Sequence, residues 1–269
     1  MSGGTRRLFR GETTINFYGR RNVGFIASGL LVLITIISLF AQGLNLGIDF
    51  KGGVAFEVPV QGSISIDVVE DVLKSEGVLD DGVKIQTLKS ETESRIRIQL
   101  GDQEPQKVTA IQTALAEKAN LTVNDVSVST VSSTWGRNIT MKAVNALLVF
   151  FLVVSIFISF RFEWRMAASA IAAMAHDVAI SVGLYSVLGL EVTPATVVAF
   201  LTILGFSLYD TIVVFDKVHD NTSRFSGSKV SYGDVVNVSM NQVLMRSLNT
   251  SLAAVLPVLS LLVLGSGVF

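Results

Sequence analysis

Five apolar runs of about 20 residues constrain this chain more than any other feature. A lipid interior offers no water to hydrogen-bond, so only helices with internally satisfied backbones, or closed barrels, can cross it. The runs fall at 23–41, 143–160, 166–188, 194–215 and 248–268, and their length predicts five transmembrane helices. Half of the residues are hydrophobic and 16% are charged, a balance that fits a membrane protein carrying one polar domain. The formal net charge is −1, and no basic stripe interleaved with aromatics is present, which argues against a nucleic-acid partner. With no cysteine and only His176 and His219, disulfides, thiolate chemistry and a histidine-rich metal site are excluded together, and no cofactor or metal is expected.

Charge asymmetry orients the spans. Residues 1–22 form a basic N-terminus with Arg6, Arg7, Arg10, Arg20 and Arg21, and Arg161 with Arg165 fills the turn between the second and third spans. Both regions belong on the cytoplasmic side. A loop at about 216–243, with Lys217, Arg224 and Lys229, is placed there too, whereas the turn at 189–193 offers only Glu191 and is external. The first span, 23–43, ends in Ala41-Gln42-Gly43, faintly like a signal-peptide cleavage site, but its apolar core exceeds a usual signal segment and reads as an uncleaved anchor. The sequence stops inside the fifth run, an abrupt ending with no polar tail, which reads as a chain cut short.

The polar domain, 44–137, should fold outside the cytoplasm. Val54, Phe56 and Val58 alternate as in a strand, and 67–76 carries helical spacing through Val68, Val69, Val72 and Leu73. Strands follow at 83–88 and through Ile96, Ile98 and Leu100. Asp102 and Pro105 open a helix through Ala110, Ile111, Ala114 and Leu115, because proline suits a first turn, and Val126 and Val128 make a fourth strand. The order βαββαβ predicts an inserted α+β ferredoxin-like domain within an α-helical polytopic membrane protein. It contains no paired carboxylates, Ser-His-Asp set or phosphate loop, so a binding or structural role is expected there rather than catalysis.

Asp210 sits inside the fourth run, about 16 residues past Pro194, which at about 1.5 Å per residue places it in the inner half of a bilayer. A charged acid at a helix centre costs roughly 2.5–3.5 kcal/mol on insertion scales, which makes it a functional candidate. Ser207 shares its side of the helix, and Arg246, Asn249 and Thr250 share one face at the start of the fifth span. Asp210 and Arg246 occupy similar depth and can pair, with separation of the pair taking up a proton. A fixed structural ion pair, or an arginine snorkelling to the interface, is the competing reading. His176 and Asp177 lie among small alanines of the third span, which let helices approach. A relay is one reading of them; adjacent positions point about 100° apart on a helix, which favours packing or hydrogen bonding instead.

Four ordered motifs carry a resemblance. They are Gly47-Ile48-Asp49-Phe50-Lys51-Gly52-Gly53, then Arg161 to Arg165 with His176-Asp177, then Gly205 to Lys217 around Asp210, and Asn241 to Ser251 around Arg246. Together they resemble the SecD/SecF family of bacterial protein-export membrane subunits, relatives of the resistance-nodulation-division exporters. The resemblance implies a SecF-type subunit of the bacterial inner membrane. Such a subunit works with SecD beside the SecYEG channel and spends the proton-motive force to draw unfolded preproteins outward after the ATPase SecA has pushed them in. By motif, Asp210 is the proton-bearing acid, Arg246 its partner, and Asp49, Gly52 and Gly53 a family motif at a tight exit from the first span, as hinge or simple turn. Tyr209 stands where many members have Asn, and the five spans are one short of the family's six. A small-molecule or lipid exporter of the same superfamily is the alternative, but no enlarged outer domain or internal repeat supports it. An intramembrane aspartyl protease using Asp210 and Asp177 lacks a second glycine-flanked acid.

Overall fold

The computed structural model describes residues 13–60, 64–80, 82–89, 94–227 and 229–264. Arg6, Arg7 and Arg10, and the end of the fifth apolar run at 265–268, lie outside the described residues. In chain order the main elements are α1 (Arg21–Ala41), β1 (Gly53–Pro59), α2 (Ile66–Ser75), β2 (Lys84–Lys89), β3 (Ser94–Leu100), α3 (Pro105–Ala119), β4 (Ser127–Val131), α4 (Ser133–Arg161), α5 (Trp164–Leu188), α6 (Pro194–Arg224) and α7 (Tyr232–Leu264). The chain divides into two compact units, one drawn from Met1–Asn45 and Ala146–Leu259, the other from Leu46–Asn145 and Ser260–Phe269.

The mixed unit is built on strand alternation. Val54, Phe56 and Val58 of β1 are fully buried and lie opposite Leu100, Ile98 and Ile96 of β3 in antiparallel register. Strand β4 pairs with the other edge of β1, and β2 with the outer edge of β3, giving a sheet of order β2-β3-β1-β4 in which every neighbour is antiparallel. Val69, Val72 and Leu73 of α2 and Ile111 and Leu115 of α3 join the same core, so both helices cover one face of the sheet. Each such large side chain contributes about 1.5–3 kcal/mol on burial. Local chemistry sets the helix ends. Ser65 accepts from the Val68 N–H to start α2, Pro105 opens α3, and Asn120 closes it in the left-handed conformation at φ 55°. Before β4, the Asp125 carboxylate accepts from the Thr122 hydroxyl and N–H, and these bonds, the side-chain one foremost, hold its pKa below the usual value.

The helical unit contains the later part of α4 and all of α1, α5 and α6, with α7 through Leu259. Among the described residues, five helices are long and apolar enough to cross a membrane: α1, α4, α5, α6 and α7. Val154 and Ile158 of α4, Ala167, Ala170 and Met174 of α5 and Leu204 of α6 form its buried core, capped by an edge-to-face contact of Phe162 with Phe215 at 6.0 Å. A second seam joins α1 to α5. Ser28 Oγ lies 2.6 Å from His176 Nε2 and Ser38 Oγ 2.7 Å from Ser186 Oγ, both pairs 148 residues apart. Thr35 and Gly183 share that offset, and a Cβ on Gly183 would fall on the Thr35 hydroxyl. A constant offset over a spacing of seven and then three residues means that the two helices run parallel, packed through small and hydroxyl-bearing side chains.

The segment at 216–243, expected as a loop, is largely helical. Helix α6 continues to Arg224 and α7 starts at Tyr232. Apolar length marks where a helix can lie in lipid, but not where it ends. Here Asp220 pairs with Lys217 at 3.3 Å and with Arg224 at 3.3 Å, spacings that support a helix in water.

Gly183→Val should loosen the α1–α5 seam by roughly 1–3 kcal/mol, the usual range for overpacking a close contact. Gly205→Ala, where a Cβ meets nothing within 4 Å, should be neutral or slightly stabilising. Thermal melting of the detergent-solubilised protein checks both, and equal melting points would contradict the tight seam.

Candidate functional site

Thr193 and Thr196 cap the start of α6 reciprocally and Pro194 occupies its first turn, which fixes the helix from that end. Asp210 is half-buried on α6, and its Oδ1 is buried without a hydrogen-bond partner. An unpartnered carboxylate oxygen is expensive in such surroundings. Three residues earlier on the same helix face, the Ser207 hydroxyl donates a short hydrogen bond to Asp177 Oδ2 on α5. The other carboxylate oxygen, Asp177 Oδ1, lies 3.2 Å from His176 Nδ1, and His176 Nε2 meets Ser28 on α1. His176 and Asp177 do project in different directions, as their spacing requires; the structure uses that divergence to connect two neighbouring helices through one His-Asp contact.

The expected Asp210–Arg246 pair is not formed. Arg246 is exposed, and its carbonyl accepts from Thr250 Oγ1 at 2.9 Å, while Asn249 is exposed as well. The cause lies in the packing of α7. Its buried residues are Val235, Ser239, Asn241 and Val243, all before Arg246. That first third is well anchored: Asn221 of α6 donates to Ser239 Oγ at 2.9 Å and to Gln242 Oε1 at 3.0 Å. On the other side Asn241 exchanges hydrogen bonds with the Ile15 backbone at 3.0 and 2.9 Å, and Asn237 Oδ1 accepts from the Tyr18 N–H at 2.8 Å. Beyond Val243 no described residue of α7 is buried, so similar depth does not bring Arg246 to the acid.

Sequence reasoning missed Ser28, Asn221 and Asn237, and took Asn241 only as the start of the motif around Arg246. A signal for the first was present, because Ser28, Thr35 and Ser38 form a polar stripe on one face of an otherwise apolar run. The asparagines sit in the segment taken for loop, where polar residues carry no packing signal.

In the mixed unit, Asp49 lies in the first turn of a one-turn helix, Ile48–Lys51, which leads into β1. Gly52 and Gly53 follow with φ of 78° and 125°, values that favour glycine. A Cβ on Gly52 would come within 2.5 Å of Ser133 Cα at the start of α4, and one on Gly53 would fall on the Leu100 carbonyl oxygen. From the opposite side, a Cβ on Gly136 of α4 would lie 2.7 Å from the Phe50 carbonyl oxygen. The backbone before β1 thus presses directly on the first turn of α4, where the Ser133 hydroxyl also bonds Asp102 Oδ2. Among the described residues, no group of three or more His, Asp or Glu side chains is arranged to hold a metal ion.

A family model described as "Protein export membrane protein SecD/SecF, C-terminal" matches residues 110–269, and one described as "SecD/SecF GG Motif" matches residues 37–64. The protein translocase subunit SecF of Mycobacterium tuberculosis is 42% identical, over 96% of this chain and 60% of that protein. SecF of Streptomyces coelicolor is 36% identical over 97% of this chain and 69% of its own length. The chain spans about three fifths of the length of the mycobacterial relatives it matches. Among solved structures, SecDF of Thermus thermophilus, described as a translocon-associated membrane protein, is 32% identical with a TM-score of 0.83, over 98% of this chain and 37% of that one.

Gly53→Ala should destabilise the mixed unit by about 1–3 kcal/mol from its backbone conformation alone, before the clash with Leu100 is added. Gly101→Ala, beside it in open space, should cost far less. Protease resistance of the two variants in membranes would separate them, and equal resistance would contradict the tight passage.

Proposed function

We propose, from the premise that this chain belongs to the SecD/SecF family of protein-export membrane proteins, that it acts as a SecF-type subunit coupling proton flow to protein export. The protein is a multi-pass membrane protein. In this reading its N-terminus is cytoplasmic and the βαββαβ unit is a ferredoxin-like domain on the outer side. A SecD-type protein completes the bundle beside SecYEG, and the relative SecDF, which carries both names in one chain, supports that pairing.

The observation that carries the reading is the buried, unpartnered Asp210 Oδ1 within an apolar helix. A carboxylate oxygen buried without a partner is costly, and taking up a proton removes the unsatisfied charge. In the charged form it needs a partner. Arg246 supplies one, if the part of α7 beyond Val243 moves towards α6 while its anchored first third stays in place. Alternation between a protonated, unpaired Asp210 and a charged, Arg246-paired one gives two states whose balance follows the proton gradient. Motion of α7 between them provides the mechanical output, passed to the outer domain and the unfolded cargo. The apolar residues Leu252, Leu256 and Leu262 of α7, exposed within this chain, face lipid or the SecD-type partner.

Asp210→Asn in the full assembly, reconstituted in vesicles, should abolish the gradient-stimulated part of preprotein export and spare the ATP-driven part. Arg246→Ala should do the same. Unchanged gradient stimulation in Asp210→Asn removes the proton-carrier assignment, and equal loss of both components would indicate a damaged channel instead.

A further inference from the structure

We propose that Ser28, His176, Asp177 and Ser207 form a second proton-handling unit, in which the imidazole receives a proton and the Asp177 carboxylate passes it towards Asp210. This inference rests on the reading of Asp210 as the proton carrier. The geometry is continuous across three helices: Ser28 on α1, His176 and Asp177 on α5, Ser207 on α6. Every side-chain polar atom in the set is used. Both imidazole nitrogens and both carboxylate oxygens have a partner, and the two oxygens serve different helices.

The protonation pattern follows from donor and acceptor chemistry. A carboxylate only accepts, so His176 Nδ1 carries the hydrogen that points at Asp177 Oδ1, and the neutral ring offers Nε2 as acceptor to the Ser28 hydroxyl. A proton delivered from water to Nε2 makes the imidazolium, and the Ser28 hydroxyl turns to accept from it. The Nδ1 proton then moves to Asp177 Oδ1, which leaves a neutral ring bearing hydrogen on Nε2 and a neutral carboxyl group. The carboxyl group then turns over so that its protonated oxygen faces Ser207, whose hydroxyl turns from donor to acceptor, takes that proton and gives up its own hydrogen on the far side. Asp210 lies three residues further along the same helix, a spacing at which Cβ atoms stand about 5–6 Å apart, within reach through one water or a carboxyl rotation.

Charges on the neighbouring elements leave this unit to act alone. Helix α1 carries only Arg21, at its first residue, and α5 otherwise only Arg165, in its first turn. Between Pro194 and Ser207, α6 has no titratable side chain; Tyr209 and Asp210 follow, with Asp216 and Lys217 beyond. The part of α4 in this unit carries only Arg161, which pairs with Asp216 at 2.9 Å. His176 and Asp177 side chains each keep 33% exposure within this chain, so its own helices do not enclose the pair. A mere structural bridge would need the hydrogen bonds but not the titration, and that difference is measurable.

The test is gradient-driven proton flux through the reconstituted full assembly, measured from about pH 5 to pH 8. His176→Gln and Asp177→Asn keep hydrogen-bonding groups of similar size but cannot relay a proton. Both should lower the flux several-fold and flatten its pH dependence, with unchanged ATP-driven export. Ser207→Ala removes one hydroxyl from the chain, and should lower the flux with an unaltered melting temperature even where a His176 variant folds poorly. Parent-like flux and pH profile in Asp177→Asn and Ser207→Ala, with Asp210→Asn inactive, overturn the second unit and leave the Asp210 reading standing. Parent-like flux in Asp210→Asn overturns both.

Discussion

A polar side chain within an apolar helix must find its partner inside the protein, and the helical unit is organised by that requirement. Ser28, Ser38, Ser186, His176, Asp177 and Ser207 all satisfy it by bonding one another between helices. Packing and polar pairing then reinforce each other: Gly183 allows α1 to approach α5, and the close approach brings the hydroxyls within bonding distance. Asp210 breaks the pattern. One of its oxygens is buried without a partner, as is Ser247 Oγ on α7, but a carboxylate left so costs more than a hydroxyl, and sites that violate an otherwise consistent design are where function is expected.

Much of this was legible in the sequence, for reasons that differ by element. The five spans follow from apolar length, which lipid imposes directly. The strands of the mixed unit follow from alternation, and Val54, Phe56 and Val58 are buried as that pattern requires. Boundaries at 216–243 were lost because short-range charge pairs, not hydrophobicity, extend α6. The link from His176 to Ser28 depends on which helices are neighbours, and a single chain read linearly does not carry that information. The expected Asp210–Arg246 pair assumed that α7 follows α6 throughout its length, whereas its buried residues extend only as far as Val243.

Asp49, Gly52 and Gly53 illustrate a different kind of legibility. Their motif was readable as a family signature, yet its physical content is a contact of backbone with backbone. Gly52 meets Ser133, Gly53 meets the Leu100 carbonyl, and Gly136 meets Phe50 from the other side. Three glycines are therefore spent on one crossing, and the residues they touch contribute main chain only, which no pattern of side-chain types reveals.

The constant offset along α1 and α5 also works as a key against misassembly. If α1 slid one heptad in one direction, Arg21 would stand opposite His176 and Leu31 opposite Ser186; in the other direction, Gln42 would be driven at Gly183. Either slip replaces a hydroxyl or small contact with a charge or a long side chain. Parallel helices with repeating apolar faces have little else to set their vertical alignment, so a few polar and small positions suffice to make one alignment the only comfortable one. A mutation that makes this stripe uniformly apolar would retain membrane insertion and lose that alignment.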